Sequence, residues 1–393
     1  MTQNKTNKVS NVPPLRFPEF SGEWEKCQLG DITVNFSRRN KEGIDYPMFS
    51  VTNDRGFIPQ SEQFEDREMI GTDIKAYKII HNGEFAYNPA RINVGSIAKY
   101  YGVEDCMISS LYVCFDVDRK RINSEWFFHL LKTSKMNFYY NLNGEGGVRI
   151  YLFYPNFARI KSSYPTKAEQ QKIADLFNLL TKRIETQIRV IDKLESLIKG
   201  IYNSILWREY KQASLSDIFI ERNERTTSNN QYEVLSSTAK GLFRQADYFD
   251  KEVASANNVG YKVLRLGDVV LSPQNLWLGN INYNDIFEIG IVSPSYKVFS
   301  IRKQFNPYYV SCFLKTHRAL YEYANASEQG ASVVRRNLDL DAFMAITFPM
   351  PDKDIQDSVS KKLQAINKKL SVEKQILDKL KEQKNYLLSQ MFI

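Results

Sequence analysis

Two narrow apolar seams dominate the pattern of hydrophobic and polar positions. Ile173, Leu176, Leu180, Ile184, Ile188, Ile191, Leu194, Ile198, Ile201 and Ile205 recur every three or four positions among Lys, Glu and Gln. Near the C-terminal end, Ile355, Val359, Leu363, Ile366, Leu370, Leu377, Leu380, Leu387 and Met391 do the same. That spacing keeps the apolar side chains on one face of a helix with 3.6 residues per turn, so two long helices are predicted, opening after Pro165 and Pro351. Gly200 is the one poor helix former in the first. A narrow seam flanked by charge suits a partner helix, which predicts an antiparallel coiled coil; the alternative is that each helix packs on its own globule. Some 40 residues at about 1.5 Å each span roughly 60 Å, enough to act as a spacer. Elsewhere, short β-branched and aromatic runs such as Leu111–Phe115 alternate with Gly/Asn/Asp turns and a few helical stretches, which predicts mixed α/β (α+β) globules.

The pattern is written twice. Leu29-Gly30-Asp31-Ile32 returns as Leu215-Ser216-Asp217-Ile218, 186 positions later. Tyr77-Lys78-Ile79-Ile80, Gly83-Glu84, Pro89, Gly95 and Ile97 return 184 positions later as Tyr261-Lys262-Val263-Leu264, Gly267-Asp268, Pro273, Gly279 and Ile281. Leu131-Lys132-Thr133 matches Leu314-Lys315-Thr316, while Arg149, Leu152, Phe157, Ile160, Pro165 and Gln170 match Arg335, Leu338, Phe343, Ile346, Pro351 and Gln356. A period this long means two copies of a whole domain, not a solenoid of short repeats. The expected organisation is a flexible tail over 1–16, a globule over 17–165, a long helix over 166–207, a second globule over 208–351 and a second long helix over 352–393. Pairing those helices antiparallel gives a pseudo-two-fold object, so its function should be bipartite.

Composition then narrows the class. At 393 residues with 43% hydrophobic and 25% charged positions, the chain is ordinary globular material for about two domains. A net charge of +8 favours a polyanionic partner, because Lys and Arg displace the counterions condensed on nucleic-acid phosphate. Cys27, Cys106, Cys114 and Cys312 form no CxxC pair, and His81, His129 and His317 lie far from any metal-type spacing, so no metal or other cofactor is expected. No stretch approaches 18 apolar residues and the polar N-terminus has no apolar core, so a cytoplasmic protein with reduced thiols and no membrane contact is expected.

The order globule, long helix, globule, long helix resembles the specificity subunit of type I restriction-modification systems over essentially the whole chain. The opening segment Leu15-Arg16-Phe17-Pro18-Glu19-Phe20 with Trp24 and Leu29-Gly30-Asp31-Ile32 is similar to the start of many members, as is Gly267-Asp268-Val269-Val270-Leu271-Ser272. The domain ends agree best: a glycine turn with arginine (Gly146, Gly147, Arg149; Gly330, Arg335), an apolar strand, a proline, then Glu169-Gln170-Gln171-Lys172-Ile173-Ala174 opening the helix. The second copy departs with Asp354-Ile355-Gln356-Asp357 at that helix start. The resemblance implies two target recognition domains, each reading half of a split site in double-stranded DNA. It also implies helices that set the gap and dock two methylation subunits, with restriction (motor and nuclease) subunits joining the complex.

Catalysis by this chain is not expected. An adenine methyltransferase of this class needs an Asn/Asp-Pro-Pro-aromatic loop, and the nearest approach, Tyr87-Asn88-Pro89-Ala90, lacks the second proline and the aromatic. No GxxxxGK[ST] phosphate loop is present for a motor. Pro351-Asp352 with Glu382-Gln383-Lys384 superficially resembles a paired-carboxylate metal site, yet both fall in or beside a long helix where ligands do not converge.

A DNA reader needs phosphate anchors and side chains that reach base edges, so Arg, Lys, Asn and Gln on loops are the candidates. Arg38, Arg39 and Lys41, with Arg222 and Arg225 in the second copy, follow the first turn of each globule; the alternative is a solvated loop. Arg91 and Asn93 correspond to Gln274, Asn275 and Trp277, a loop that diverges inside a repeated frame, as two domains reading different sequences require. Arg149, Arg335 and Arg336 suit phosphate better than a helix cap, and Arg55 and Arg244 sit beside Gly56 and Gly241. Two competing readings are a coiled-coil scaffold or anti-restriction adaptor without DNA contact, and an autonomous nuclease.

Overall fold

The run Val113–Val117 alternates a large and a small buried side chain, Phe115 beside Cys114, and that alternation organises the first unit. Side chains of a strand point to opposite faces in turn, so each residue of the pair serves a different core. The computed structural model describes residues 11–63, 74–147, 149–206, 208–248, 257–329 and 335–393. It divides into two compact units, the first formed by residues 1–189 with 375–393 and the second by 190–374.

The strands of the first unit are β1 (Glu25–Gln28), β2 (Thr33–Phe36), β3 (Met48–Val51), β4 (Phe57–Pro59), β5 (Lys78–Ile80), β6 (Phe85–Tyr87), β7 (Ile97–Lys99), β8 (Cys106–Ile108), β9 (Val113–Val117) and β10 (Lys161–Tyr164). One antiparallel sheet runs β2-β9-β6-β7, with Phe85 opposite Phe115 and their rings stacked at 5.1 Å. Its larger side chains, Phe85, Tyr87, Ile97 and Phe115, pack against Trp126, Phe127 and Leu130 of the helix Ser124–Leu131. Its smaller ones, Ala86, Ala98 and Cys114, face the sheet β4-β3-β8-β5 through Val51, Ile80 and Ile108. Cys106 and Cys114 are thus free core thiols, and burial pushes both up to about 12.

The strands of the second unit are β11 (Gln212–Ser214), β12 (Phe219–Arg222), β13 (Leu235–Thr238), β14 (Gly241–Arg244), β15 (Lys262–Arg265), β16 (Val269–Leu271), β17 (Ile281–Tyr283), β18 (Ile289–Val292), β19 (Lys297–Ile301), β20 (Ser327–Gln329), β21 (Arg336–Leu338) and β22 (Thr347–Pro349). Its main sheet runs β12-β19-β16-β17 with the same antiparallel pairings. Phe219, Val269, Leu271 and Phe299 face Tyr309, Val310 and Phe313, while Val270 and Val298 face Leu235, Leu264 and Val292. The fold is mixed α/β, and among the named strands of the described residues only β3 and β8 pair in parallel.

Both long helices are present, Lys167–Leu206 with 40 residues and Lys353–Gln390 with 38. Their starts are tied down alike. Gln170 donates to the carbonyl of Pro165 (2.8 Å) and accepts from the Asn123 amide (2.7 Å); Gln356 donates to Pro351 (2.8 Å) and accepts from Asn306 (2.8 Å). Asn123 and Asn306 in turn cap the helices Ser124–Leu131 and Pro307–Phe313. The departure of the second copy, Asp357 for Gln171, keeps the contact: Gln171 accepts from the Asn123 amide group and Asp357 from that of Asn306.

Three expectations change. Residues 11–16 are not a free tail. Asn11 donates to the Trp24 carbonyl, Leu15 to the Gln390 carbonyl, and Arg16 grips the fully buried Glu169 at 2.7 Å. The first turns of the first long helix pack on the globule, burying Ile173, Ala174, Phe177 and Leu180, while Ile188 and Ile355 of the predicted seams are exposed. The first unit's core is also closed by the chain's last residues: Met391 and Phe392 are buried, with Phe392 against Trp126 (5.9 Å) and Phe177 (5.7 Å). Gly330 of the predicted glycine turn, and residues 1–10, lie outside the described residues.

Candidate nucleic-acid interface

Two glycines in the left-handed conformation mark equivalent places in the two units. Gly95 (φ 102°) ends the short helix Ile92–Val94, and Gly279 (φ 86°) ends Pro273–Leu278. Only glycine adopts that geometry freely, so each turn projects its preceding residues outward at a fixed angle. Ile92 and Leu276 anchor the turns in the cores. The residues between anchor and glycine differ: Asn93 in one, Trp277 in the other.

In the first unit, Arg91 and Arg55 are exposed on one polar cleft of about 530 Å³, shared with Asn53, Gln60, Asn88 and Tyr112. Arg55 makes only a loose, exposed pair with Glu62 at 3.7 Å. Asn93 lies apart from that cleft and donates to Asn141 (3.0 Å). Arg149 is exposed on the hairpin closed by Glu145 and Tyr151, which lies beside the Pro89 turn through the bond from Leu152 to the Pro89 carbonyl. Arg39 and Lys41 are exposed, and neither pairs with a carboxylate among the described residues.

In the second unit, Gln274 is exposed on the Pro273–Leu278 turn, with Asn275 and Trp277 partly buried. The Arg336 guanidinium lies over the Trp277 ring at 4.3 Å, and Arg335 beside it is exposed. Arg225 donates to the Gly260 carbonyl (2.8 Å). Arg244 pairs with Glu233 at 3.0 Å and lies 5.5 Å from the Phe287 ring centre.

Arg38 and Arg222 leave the candidate set. Arg38 forms a two-pronged contact with the buried Glu84, both bonds 3.0 Å, and Arg222 reaches the buried Asp268 at 3.5 Å and Glu224 at 3.1 Å. A guanidinium neutralising a buried carboxylate is committed to the fold, since removing it leaves that carboxylate uncompensated.

Sequence reasoning passed over Lys132 and Lys315, although the doubled Leu-Lys-Thr held the signal. Lys132 Nζ donates to the carbonyl of Gly95 (2.8 Å), bracing the turn from beneath; burial, then the nearby Lys384, lowers its ammonium to about 8. Lys315 Nζ donates to Asn282 Oδ1 (2.7 Å) and to the Ala239 carbonyl (3.0 Å) in the β13–β14 turn. Among the described residues no cluster of three or more His, Cys, Asp or Glu side chains is placed to hold a metal ion, and no helix is long and apolar enough to cross a membrane.

The family described as the type I restriction modification DNA specificity domain matches residues 21–196. Residues 21–196 belong to that family. The specificity domain therefore spans the first unit's globule and most of the first long helix, and the resemblance read from the sequence is upheld. The HindI specificity subunit of a type I restriction enzyme of Haemophilus influenzae is 24% identical over 192 residues, covering 46% of this chain and 40% of that relative. The crystal structure of the S subunit of the type I restriction-modification system of M. genitalium matches 97% of this chain and 99% of its own, with TM-score 0.60 and 13% identity. A chain from a structure of a type I R-M system, described for complex assembly and conformational transition, matches 96% and 99%, with TM-score 0.54 and 13% identity. These two likenesses show a shared fold over nearly the whole chain.

Proposed function

We propose that this chain is the non-catalytic, sequence-reading subunit of a type I restriction-modification complex. Residues 17–165 and 208–351 act as target recognition domains for the two halves of a split site in double-stranded DNA. The segments 166–207 and 352–393 act as spacers that set the gap and dock two methylation subunits, with restriction subunits joining them. One observation carries this reading: the two units share sheet order, helix caps and the Gly95/Gly279 turns, yet differ in the side chains those turns present. A shared frame with divergent tips is what reading two different sequences by one method requires.

Antiparallel pairing of the helices is supported inside the first unit, and their contact inside the second. Phe177 meets Phe392 and Thr181 meets Lys384 in the first, so there one segment ascends in number as the other descends; in the second, Glu195 pairs with Lys374 at 2.8 Å. Arg39, Lys41, Arg91, Arg149 and Arg335, which have no carboxylate partner among the described residues, supply the phosphate contacts, with Asn93, Gln274 and Asn275 nearer the bases.

Exchange of residues 17–165 for those of a relative tests the reading. Site selection from a randomised duplex library should then return a changed sequence in one half of the site and an unchanged other half. Change in both halves would mean one composite surface; absence of any salt-dependent DNA binding would favour the scaffold alternative.

A further inference from the structure

The Arg335–Arg336 pair in the second unit combines one arginine that the first unit shares with one that it lacks. Arg335 corresponds to Arg149, and both are exposed. Arg336 corresponds to Ile150, and its neighbour Trp277 to Asn93. Two positions that meet in space have thus changed together: a cation over an indole in one unit, and in the other an asparagine bonded to Asn141 instead.

The geometry restricts what Arg336 does. Its guanidinium carbon lies 4.3 Å from the Trp277 ring centre, within the range where the aromatic face attracts a cation. One of its N–H groups reaches the Ala324 carbonyl at 3.3 Å, near the end of the helix His317–Asn325. Unlike Arg222 and Arg244, it has no carboxylate partner among the described residues. A planar fork laid on an aromatic face keeps its remaining donors in one plane, which suits two acceptors side by side and loses less freedom on binding.

A backbone phosphate and the O6/N7 edge of guanine both offer such acceptors. The comparison between units separates them. A contact to phosphate carries no sequence information, so it belongs to the arginine present in both units, Arg149 and Arg335. A contact to a base belongs to the residue that differs. We propose that Arg336, held against Trp277, reads a guanine in the half-site bound by the second unit, an assignment that rests on the DNA-reading function proposed above.

The test is selection from a library with both half-sites randomised, using the full chain as wild type, Arg336→Ala, Arg336→Lys and Trp277→Phe. The wild type should enrich guanine at one position of one half-site. Arg336→Ala should lose preference at that position by roughly 5- to 150-fold and keep every other position, the range expected for one two-pronged base contact. Arg336→Lys should lose it too, since a point charge lacks the fork, whereas Trp277→Phe keeps the same base with a weaker preference. Uniformly weaker binding with an unchanged sequence would make Arg336 a phosphate contact and overturn the proposal. If Arg336→Ala erased the whole half-site through misfolding, Arg336→Lys decides: guanine still selected at that position overturns it. A wild type that enriches no sequence would overturn the function itself, and this assignment with it.

Discussion

Replacing Phe392 by alanine should destabilise the first unit and leave the second untouched. The ring is 6% exposed and packs against both Trp126 and Phe177. Deleting a buried phenylalanine side chain costs about 3–5 kcal/mol, so at least about 3 kcal/mol is expected here. Against a domain stability of about 5–15 kcal/mol that is a large fraction, and it corresponds to roughly a hundredfold change in opening equilibrium. Because the two units need not unfold together, amide exchange read segment by segment is the right assay. Amides of Ser124–Leu131 that exchange through opening of the first unit should exchange about a hundred times faster, with those of Pro307–Phe313 unchanged. The exposed Tyr386 on the same helix is the control, and its change to alanine should cost no more than about 0.5 kcal/mol. Unaltered exchange in Ser124–Leu131 on loss of the Phe392 ring would refute the role of the C-terminal residues in that core.

Burial, assisted by the neighbouring Lys384, holds the His129 ring at about 4, while the unfolded chain takes up its proton near 6.5. The unfolded state therefore binds more protons between those values, so the first unit should lose stability as pH falls from 6.5 to 4, by at most about 3 kcal/mol; thermal unfolding of His129→Asn should show a flatter slope over that window. Arg149→Glu with Arg335→Glu should lower affinity for all duplexes alike in a titration at fixed salt, and a change in one half-site preference would count against the phosphate assignment. Adding or removing seven residues near Ile191 should move the globules by about 10 Å and change the unspecified gap by about three base pairs, read by selection from a library of gap lengths; full activity at the original gap would mean that the helices do not set it.

The long helices were legible because their apolar spacing and the prolines before them are local signals, and the mixed α/β class because short strand-like runs recur between turns. The committed arginines were not, because Arg38 and Glu84 lie 46 positions apart and nothing local pairs them. The repeat nevertheless contained the clue. Arg222 and Asp268 stand at the same separation, so an arginine and a carboxylate preserved together in both copies pointed to the frame and not to its ligand. Arg336 was grouped with Arg149 and Arg335 for a similar reason: sequence puts it beside Arg335, and only the folded turn puts it over Trp277. The anchoring of residues 11–16 was missed because a polar stretch without periodicity looks like solvent-exposed chain until Glu169 is found beneath Arg16.

The first unit draws on both ends of the chain, residues 1–189 and 375–393, whereas the second is one continuous stretch. Synthesis proceeds from the N-terminus, so the globule that emerges first from the ribosome is completed last, after the whole of the second has been made. Until Met391 and Phe392 arrive, the nascent first unit exposes the apolar faces of Trp126 and Phe177 that they cover. Loss of Met391 and Phe392 would leave that surface uncovered and open to chaperones and proteases, so the first unit's persistence in the cell depends on residues made after the second.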